Sequence, residues 1–276
     1  MRRERVAESI YVFTSSRYIE VTAGVIVTPE GCVVVDTMPF PSESRQVKAF
    51  GQKASRAGIK YVVNTHYHAD HTYGNCFFDD VPLIAHKETR RLLQKVGDTA
   101  LKQAREETPE LEEVEIRVPT ITYRTRADIR IGGLTVAMYH APGNSPDGSM
   151  IYIAEEKVLF AGDAMMPVPY VVSGDIDSLL ETLDQMRELS VETLIQGHGN
   201  VLLRGEIAEA IDNADTYLRT LRQFVENAIA TGMPPKELVA WDIEQAGVSR
   251  IPLGGMVQNL HRANVVSLYK SLIAKN

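Results

Sequence analysis

The sequence predicts an α/β protein of two sheets packed face to face with helices outside, followed by a helical C-terminal extension. Three observations predict it: apolar β-branched hairpins in both halves, a helix and a short strand after each hairpin, and helices alone beyond Gly197. The first hairpin joins AGVIVT (23–28) to CVVVD (32–36) through the turn PEG (29–31). Residues 43–58 carry Val47, Phe50 and Ala54 at helical spacing, stop at Gly58, and lead into KYVVNT (60–65). Residues 86–113 predict a charged helix, and 121–140 predict meandering strands broken at Gly132-Gly133. A second hairpin, MIYIA (150–154) with VLFAGD (158–163), is followed by the amphipathic DIDSLLETLDQMREL (175–189) and by TLIQ (193–196). Helices are expected over 204–231, 234–247 and 257–274. No Gly-, Ser- or Pro-rich linker precedes them, so residues 204–276 are expected to pack on a core of residues 1–203 as one domain.

Composition narrows the function. The 276 residues are 44% apolar and 24% charged, enough for a substantial core. The formal charge is −7 and the basic residues are scattered, which argues against nucleic acid as a partner. The opening MRRERVAESIYVF has no apolar stretch of signal-peptide length, and no apolar run approaches the roughly 20 residues of a membrane span, so no membrane partner is expected. Cys32 and Cys76 lie in apolar sequence and predict buried free thiols in a reducing compartment. The expectation is a cytoplasmic protein acting on a small molecule, with the long helix at 204–231 offering a homodimer surface.

Three of the seven histidines fall in NTHYHADH (64–71). His66 and His68, two apart in extended backbone, point the same way and can grip one ion, with Asp70 and His71 just beyond. Imidazole and carboxylate are what zinc takes in the absence of thiolates, and two pairs in six residues suggest two metals. Read singly, each feature has a plainer role: Asp70 caps a helix, Asp163 closes a turn after Gly162, and His198 sits between glycines. Read together, all of them stand where an apolar strand gives way to a loop, and that combination favours a site.

His66-X-His68-X-Asp70-His71, the AGD ending at Asp163 and the GHG around His198 resemble the metallo-β-lactamase superfamily, from the first hairpin to about residue 200. The resemblance implies a four-layer αββα sandwich with its site along the edge between the sheets. It further implies His66 and His68 on a first metal, Asp70, His71 and His198 on a second, and Asp163 bridging. Two divalent ions are the implied cofactor, zinc foremost, with manganese or iron as alternatives. The pattern departs from the family where a Pro-Gly-His-Thr segment supplies another first-metal histidine: here HAPGNSPDG (140–148) has Asn144. Either Asn144, through its amide oxygen, or His140, four residues earlier, is expected to complete that site.

The implied activity is a metal-dependent hydrolase. Two ions roughly 3.5–4 Å apart lower the pKa of a held water from about 15.7 toward neutrality, so that metal-bound hydroxide attacks an ester, lactone or phosphoester. Asp70 is expected to orient the water or pass its proton, and Asn144, if it is not a ligand, to donate its amide to an oxyanion. The alternatives are a mono-iron dioxygenase of the persulfide dioxygenase type, or a non-catalytic relative with a weakened first metal site. Tyr67 and Tyr73 either line the pocket or pack in the core, and MMPVPYVVSGD (165–175) is either a substrate wall or a packed loop. His86 is expected to cap a helix or lie at the surface; His261 stands on the last helix.

Overall fold

The first sheet contains seven strands in chain order: β1 (Arg2–Arg5), β2 (Ile10–Thr14), β3 (Thr22–Thr28), β4 (Gly31–Val35), β5 (Ile59–Val63), β6 (Leu83–His86) and β7 (Ile121–Tyr123). The second holds β8 (Arg126–Ile131), β9 (Leu134–His140), β10 (Ser149–Ile153), β11 (Val158–Gly162), β12 (Thr193–Gln196) and β13 (Val201–Leu203), in the order β13-β12-β11-β10-β9-β8. This computed structural model describes residues 1–275; Asn276, the last residue of the expected extension, lies outside them. The two predicted hairpins are β3–β4 and β10–β11, both antiparallel. Each second strand pairs in parallel with the strand beyond the following helix: β4 with β5 across α1 (Pro41–Ala54), and β11 with β12 across α5 (Ile176–Arg187). Their unbroken apolar character follows from burial on both faces.

The sheets enclose Ile26, Val33, Val35 and Val63 from one side and Met138, Ile151, Phe160 and Ile195 from the other. Val47 of α1 covers the outer face of the first sheet with Val25, Val34 and Val62. On the outer face of the second, Leu159 and Leu194 share an apolar cluster with Leu179 and Leu183 of α5 and with Ile211, Tyr217 and Leu221 of α6 (Arg204–Thr231). Four layers, αββα, result. The same cluster includes Leu238 of α7 (Pro235–Ala240) and Val257 and Val265 of α8 (Val257–Lys275), which ties the helical extension to the core.

Three expectations are corrected. The helix expected over 43–58 begins at Pro41, a favoured first-turn residue, and stops at Ala54. The helix expected over 86–113 is broken into α3 (Lys87–Leu92), a π-helical turn at Leu93–Gly97, α4 (Asp98–Glu107) and a 3₁₀ turn opened by Pro109. That expected over 234–247 divides into α7 and a 3₁₀ turn at Ile243–Ala246. Cys32 is buried and Cys76 half-buried, both free; burial pushes the Cys32 thiol up to about 11 and raises Cys76 as well. No helix among the described residues is long and apolar enough to cross a membrane.

The topology sets up one site. Parallel pairing brings Asp36, at the end of β4, beside Thr65 and His66, at the end of β5, and Asp163 beside His198 in the same way. Thr22 stitches the two edges together, its N–H and Oγ1 donating to the carbonyls of Gly197 (2.9 Å) and Gln196 (2.6 Å).

Candidate metal centre

Neutral imidazole binds metal through a nitrogen lone pair, so what each other ring nitrogen bonds decides whether a histidine is ready. Thr65 Oγ1 donates to Asp36 Oδ2 (2.7 Å) and therefore accepts from His66 Nδ1 (3.0 Å). His71 Nδ1 donates to Asp36 Oδ2 (2.9 Å), and His198 Nδ1 donates to the Ile19 carbonyl (2.8 Å). All three rings thus turn Nε2 inward. His68 approaches with Nδ1, 2.9 Å from His66 Nε2. The Ile19 carbonyl is presented by backbone in the left-handed region at both Ile19 and Glu20, φ 44° and 51°. Such strain in non-glycine residues persists where surrounding structure over-determines it, often at functional sites.

Two groups of ligand atoms result, each with its members within 4.8 Å of one another: His66, His68 and Asp163 in one, Asp70, His71 and His198 in the other. Asp163 faces both. Its Oδ2 lies 3.4 Å from His66 Nε2 and 3.9 Å from His68 Nδ1, while its Oδ1 lies 3.2 Å from His71 Nε2 and 3.6 Å from His198 Nε2. Asp70 Oδ2 is 3.1 Å from His198 Nε2 and 3.7 Å from His71 Nε2, so Asp70, inside the first turn of α2 (Ala69–Thr72), has its carboxylate turned to the cluster. A Cβ on Gly197 would stand 2.0 Å from Asp163 Oδ1, which is why glycine precedes His198.

The electrostatics call for a cation. Burial opposes charge on Asp163 and Asp70, yet the facing imidazoles hold both carboxyls below the usual range. Burial likewise pulls His71 and His198 down, but the carboxylates outweigh it and raise both rings. His71 Nε2 and Asp163 Oδ1 are buried without a hydrogen-bond partner. Paired carboxylates, inward lone pairs and orphaned buried atoms fit divalent metal ions. One consequence is testable by pH. Rings raised in the folded state stabilise the metal-free protein fully below about 6.5, and that contribution is lost as pH rises through their folded values. Metal takes the deprotonated rings. In EDTA the melting temperature is expected to fall from pH 6 to 9, and excess zinc is expected to restore it most at the alkaline end; a flat EDTA profile contradicts this.

His140 stands apart from the other ligand candidates. It shares a face of β9 with Val136 and Met138, toward the other sheet, and meets His86 there, rings stacked at 4.1 Å and 8°, with its Nε2 bonded to the Pro146 carbonyl at 2.9 Å. It belongs to neither ligand group. His86 is buried and caps α3 through Nδ1. Asn144 is buried beside the cluster and lines a cavity of about 10 Å³ with His66 and Asp163. Its Nδ2 donates to the Tyr170 carbonyl (2.9 Å), an acceptor only, which fixes the amide orientation and leaves Oδ1 buried without a partner. One of its two amide N–H groups is therefore committed, and its buried oxygen is left to face a ligand.

Tyr73 is buried with Leu101, Leu111 and Val114, while Tyr67 lies half-buried against His68, ring centroids 4.7 Å apart. Tyr18, unremarked in the sequence, is close enough for the charge of Asp70 to raise its phenol, with burial and Asp163 adding. Within residues 165–171, Met165, Val168 and Val171 are core, while Met165, Met166, Pro167 and Pro169 also line a cavity of about 590 Å³ bordered from the extension by Val248 and Leu253. His261 is buried on α8 against Tyr217 and lies outside both ligand groups. Asp36 was also missed, although it closes β4 as Asp163 follows β11.

Residues 19–198 match the family model described as the metallo-beta-lactamase superfamily. A linear primary-alkylsulfatase from a Pseudomonas species is 25% identical over 254 residues, 78% of this chain and 48% of that protein. The chain spans 48% to 58% of the length of the first curated relatives it matches. Among solved structures, a metallo-beta-lactamase family protein from Thermus thermophilus superposes with a TM-score of 0.69 at 15% identity, covering 97% of this chain and 94% of that one. A stereoselective inverting sec-alkylsulfatase from Pseudomonas superposes with a TM-score of 0.72 at 15% identity, covering 98% of this chain and 50% of that one. With a family model spanning both hairpins and every residue of the two ligand groups, the chain belongs to the metallo-β-lactamase superfamily.

Proposed function

We propose that the chain is a hydrolase using two divalent ions, zinc foremost, to cleave an ester-type bond in a small molecule with an apolar portion. Carboxylic esters, lactones and phosphoesters are the bond types the site suits, and the alkylsulfatase likeness adds sulfate esters. The observation that carries the reading is the division of Asp163, one oxygen toward each ligand group. When bound, the ions supply Lewis acidity, a water of lowered pKa and countercharge for the leaving group. The chain's own residues do the rest. Asp36 and Thr65 hold His66 and His71 in the ready tautomer. Asp70, kept ionised by His71 and His198 and turned to His198 through Oδ2, holds the second group and orients the water by accepting its hydrogen bond. Asn144 completes the first group with its amide oxygen. Met165, Met166 and Pro167 follow Asp163 closely in the chain, and the cavity they line, apolar on their side and bordered by Glu20, Gln196 and Glu206, takes the part of the substrate remote from the scissile bond.

Elemental mass spectrometry on protein purified without added metal tests this. About two equivalents of zinc or manganese are expected, falling toward one in Asn144→Ala and unchanged in His140→Ala. Hydrolysis of p-nitrophenyl acetate, phosphate or sulfate should follow the metal. A single iron insensitive to Asn144→Ala, with oxygen consumption in place of hydrolysis, would overturn the reading in favour of a dioxygenase.

A further inference from the structure

The C-terminal extension grips the segment that follows Asp163 through a buried side chain. Asn264, on α8, is fully buried and spends its whole amide on groups far away in sequence. Its Oδ1 accepts from the Val171 N–H (2.9 Å), and its Nδ2 donates to the Pro169 carbonyl (2.7 Å) and to the Tyr217 hydroxyl (3.1 Å). The first two bonds grip the backbone on either side of Tyr170, as a neighbouring strand would. The third has a fixed direction, Asn264 Nδ2 donating to Tyr217 Oη, which in turn shares a hydrogen bond of 2.9 Å with His261 Nδ1. The Tyr170 carbonyl belongs to the same peptide unit as the gripped Val171 N–H, and that carbonyl is what Asn144 Nδ2 bonds.

We propose that Asn264 is a positioning residue for the metal centre: by clamping Pro169 and Val171 it fixes the Tyr170 carbonyl, and that carbonyl turns the oxygen of Asn144 toward His66 and Asp163. The inference rests on Asn144 acting as a ligand, as proposed above. The chemistry at position 264 is specific. An aspartate has no N–H for the Pro169 carbonyl, and a glutamine carries its amide one methylene too far. An alanine leaves a donor at Val171 and an acceptor at Pro169 buried without partners, so the segment must shift to satisfy them. Residues that orient metal ligands typically change metal affinity by 10–100-fold when removed. A residue acting only through Asn144 has nothing left to act on once Asn144 is gone.

The experiment is zinc affinity by chelator competition on the full chain, for wild type, Asn264→Ala, Asn144→Ala and the double variant, with folding checked by circular dichroism. Asn264→Ala is expected to weaken one of two zinc sites by about 10–100-fold and spare the other. In the Asn144→Ala background the same change is expected to add less than about twofold. Ser267→Ala, which removes only an exposed bond from the same helix to the Val172 carbonyl at 3.3 Å, is expected to leave both sites unchanged. If Asn264→Ala does not fold, Asn264→Gln takes its place with the same expectations. Equal weakening of both sites, an effect that adds fully to that of Asn144→Ala, or no effect overturns the assignment of Asn264 while leaving two bound metals intact. Absence of zinc binding in the wild type overturns the proposed function together with this inference.

Discussion

Asp163→Ala is expected to lose metal from both ligand groups and to lower turnover of any ester the wild type hydrolyses by at least about 10³-fold. The magnitude follows from what the ions supply: Lewis-acid stabilisation is worth several kcal/mol, and each 1.36 kcal/mol is a factor of ten in rate. The breadth of the effect follows from geometry. His66 and His68 face Oδ2, His71 and His198 face Oδ1, and among the described residues no other carboxylate pairs with both sets. His68→Ala, by contrast, takes one nitrogen from one group and is expected to leave the metal at Asp70, His71 and His198 in place. Metal content per chain and p-nitrophenyl ester turnover, measured on the same preparations, separate the two variants. An Asp163→Ala protein that keeps two equivalents would show that the groups bind independently.

The layered fold was readable because the central strands are buried on both faces and so announce themselves as apolar runs between turns, as CVVV and VLFAG do. The sheet edges were not. RRER forms β1 with mostly exposed side chains, charge there serving to discourage edge pairing, and nothing in its composition marks a strand. Strand β13, only Val201–Leu203, is fixed by its pairing with β12 and too short to show a period. In the site, the residues that point inward were legible as a motif, whereas those that aim them were not. His140 and Asn144 stood equal in sequence; only the face of β9 and the ring of His86 send one of them away. Asn264 lies some 95 residues from the loop it grips, and no local pattern records such a bond.

Asp36→Ala is the second large expected effect, and it separates stability from metal binding. The Asp36 carboxylate is 3% exposed and accepts from Thr65 N (2.8 Å), Thr65 Oγ1 (2.7 Å) and His71 Nδ1 (2.9 Å). Its removal leaves buried donors unpaired, at about 1–3 kcal/mol for each that finds no substitute, so urea unfolding in EDTA should show a loss of about 3 kcal/mol. His71, no longer held by a donor bond, is free to rotate, and zinc affinity at the second group should fall about 10–100-fold. The backbone adds a further term. Asp36 sits at φ 57°, in the left-handed region, where asparagine and aspartate are tolerated better than alanine. Asp36→Asn therefore keeps the backbone and one acceptor oxygen while surrendering the other, and the amide N–H₂ it introduces faces donors. If aiming of His71 is what Asp36 contributes, Asn recovers part of the stability lost in Ala but little of the zinc affinity. Recovery of both in equal measure would mean that the backbone, and not the carboxylate, was what Asp36 provided.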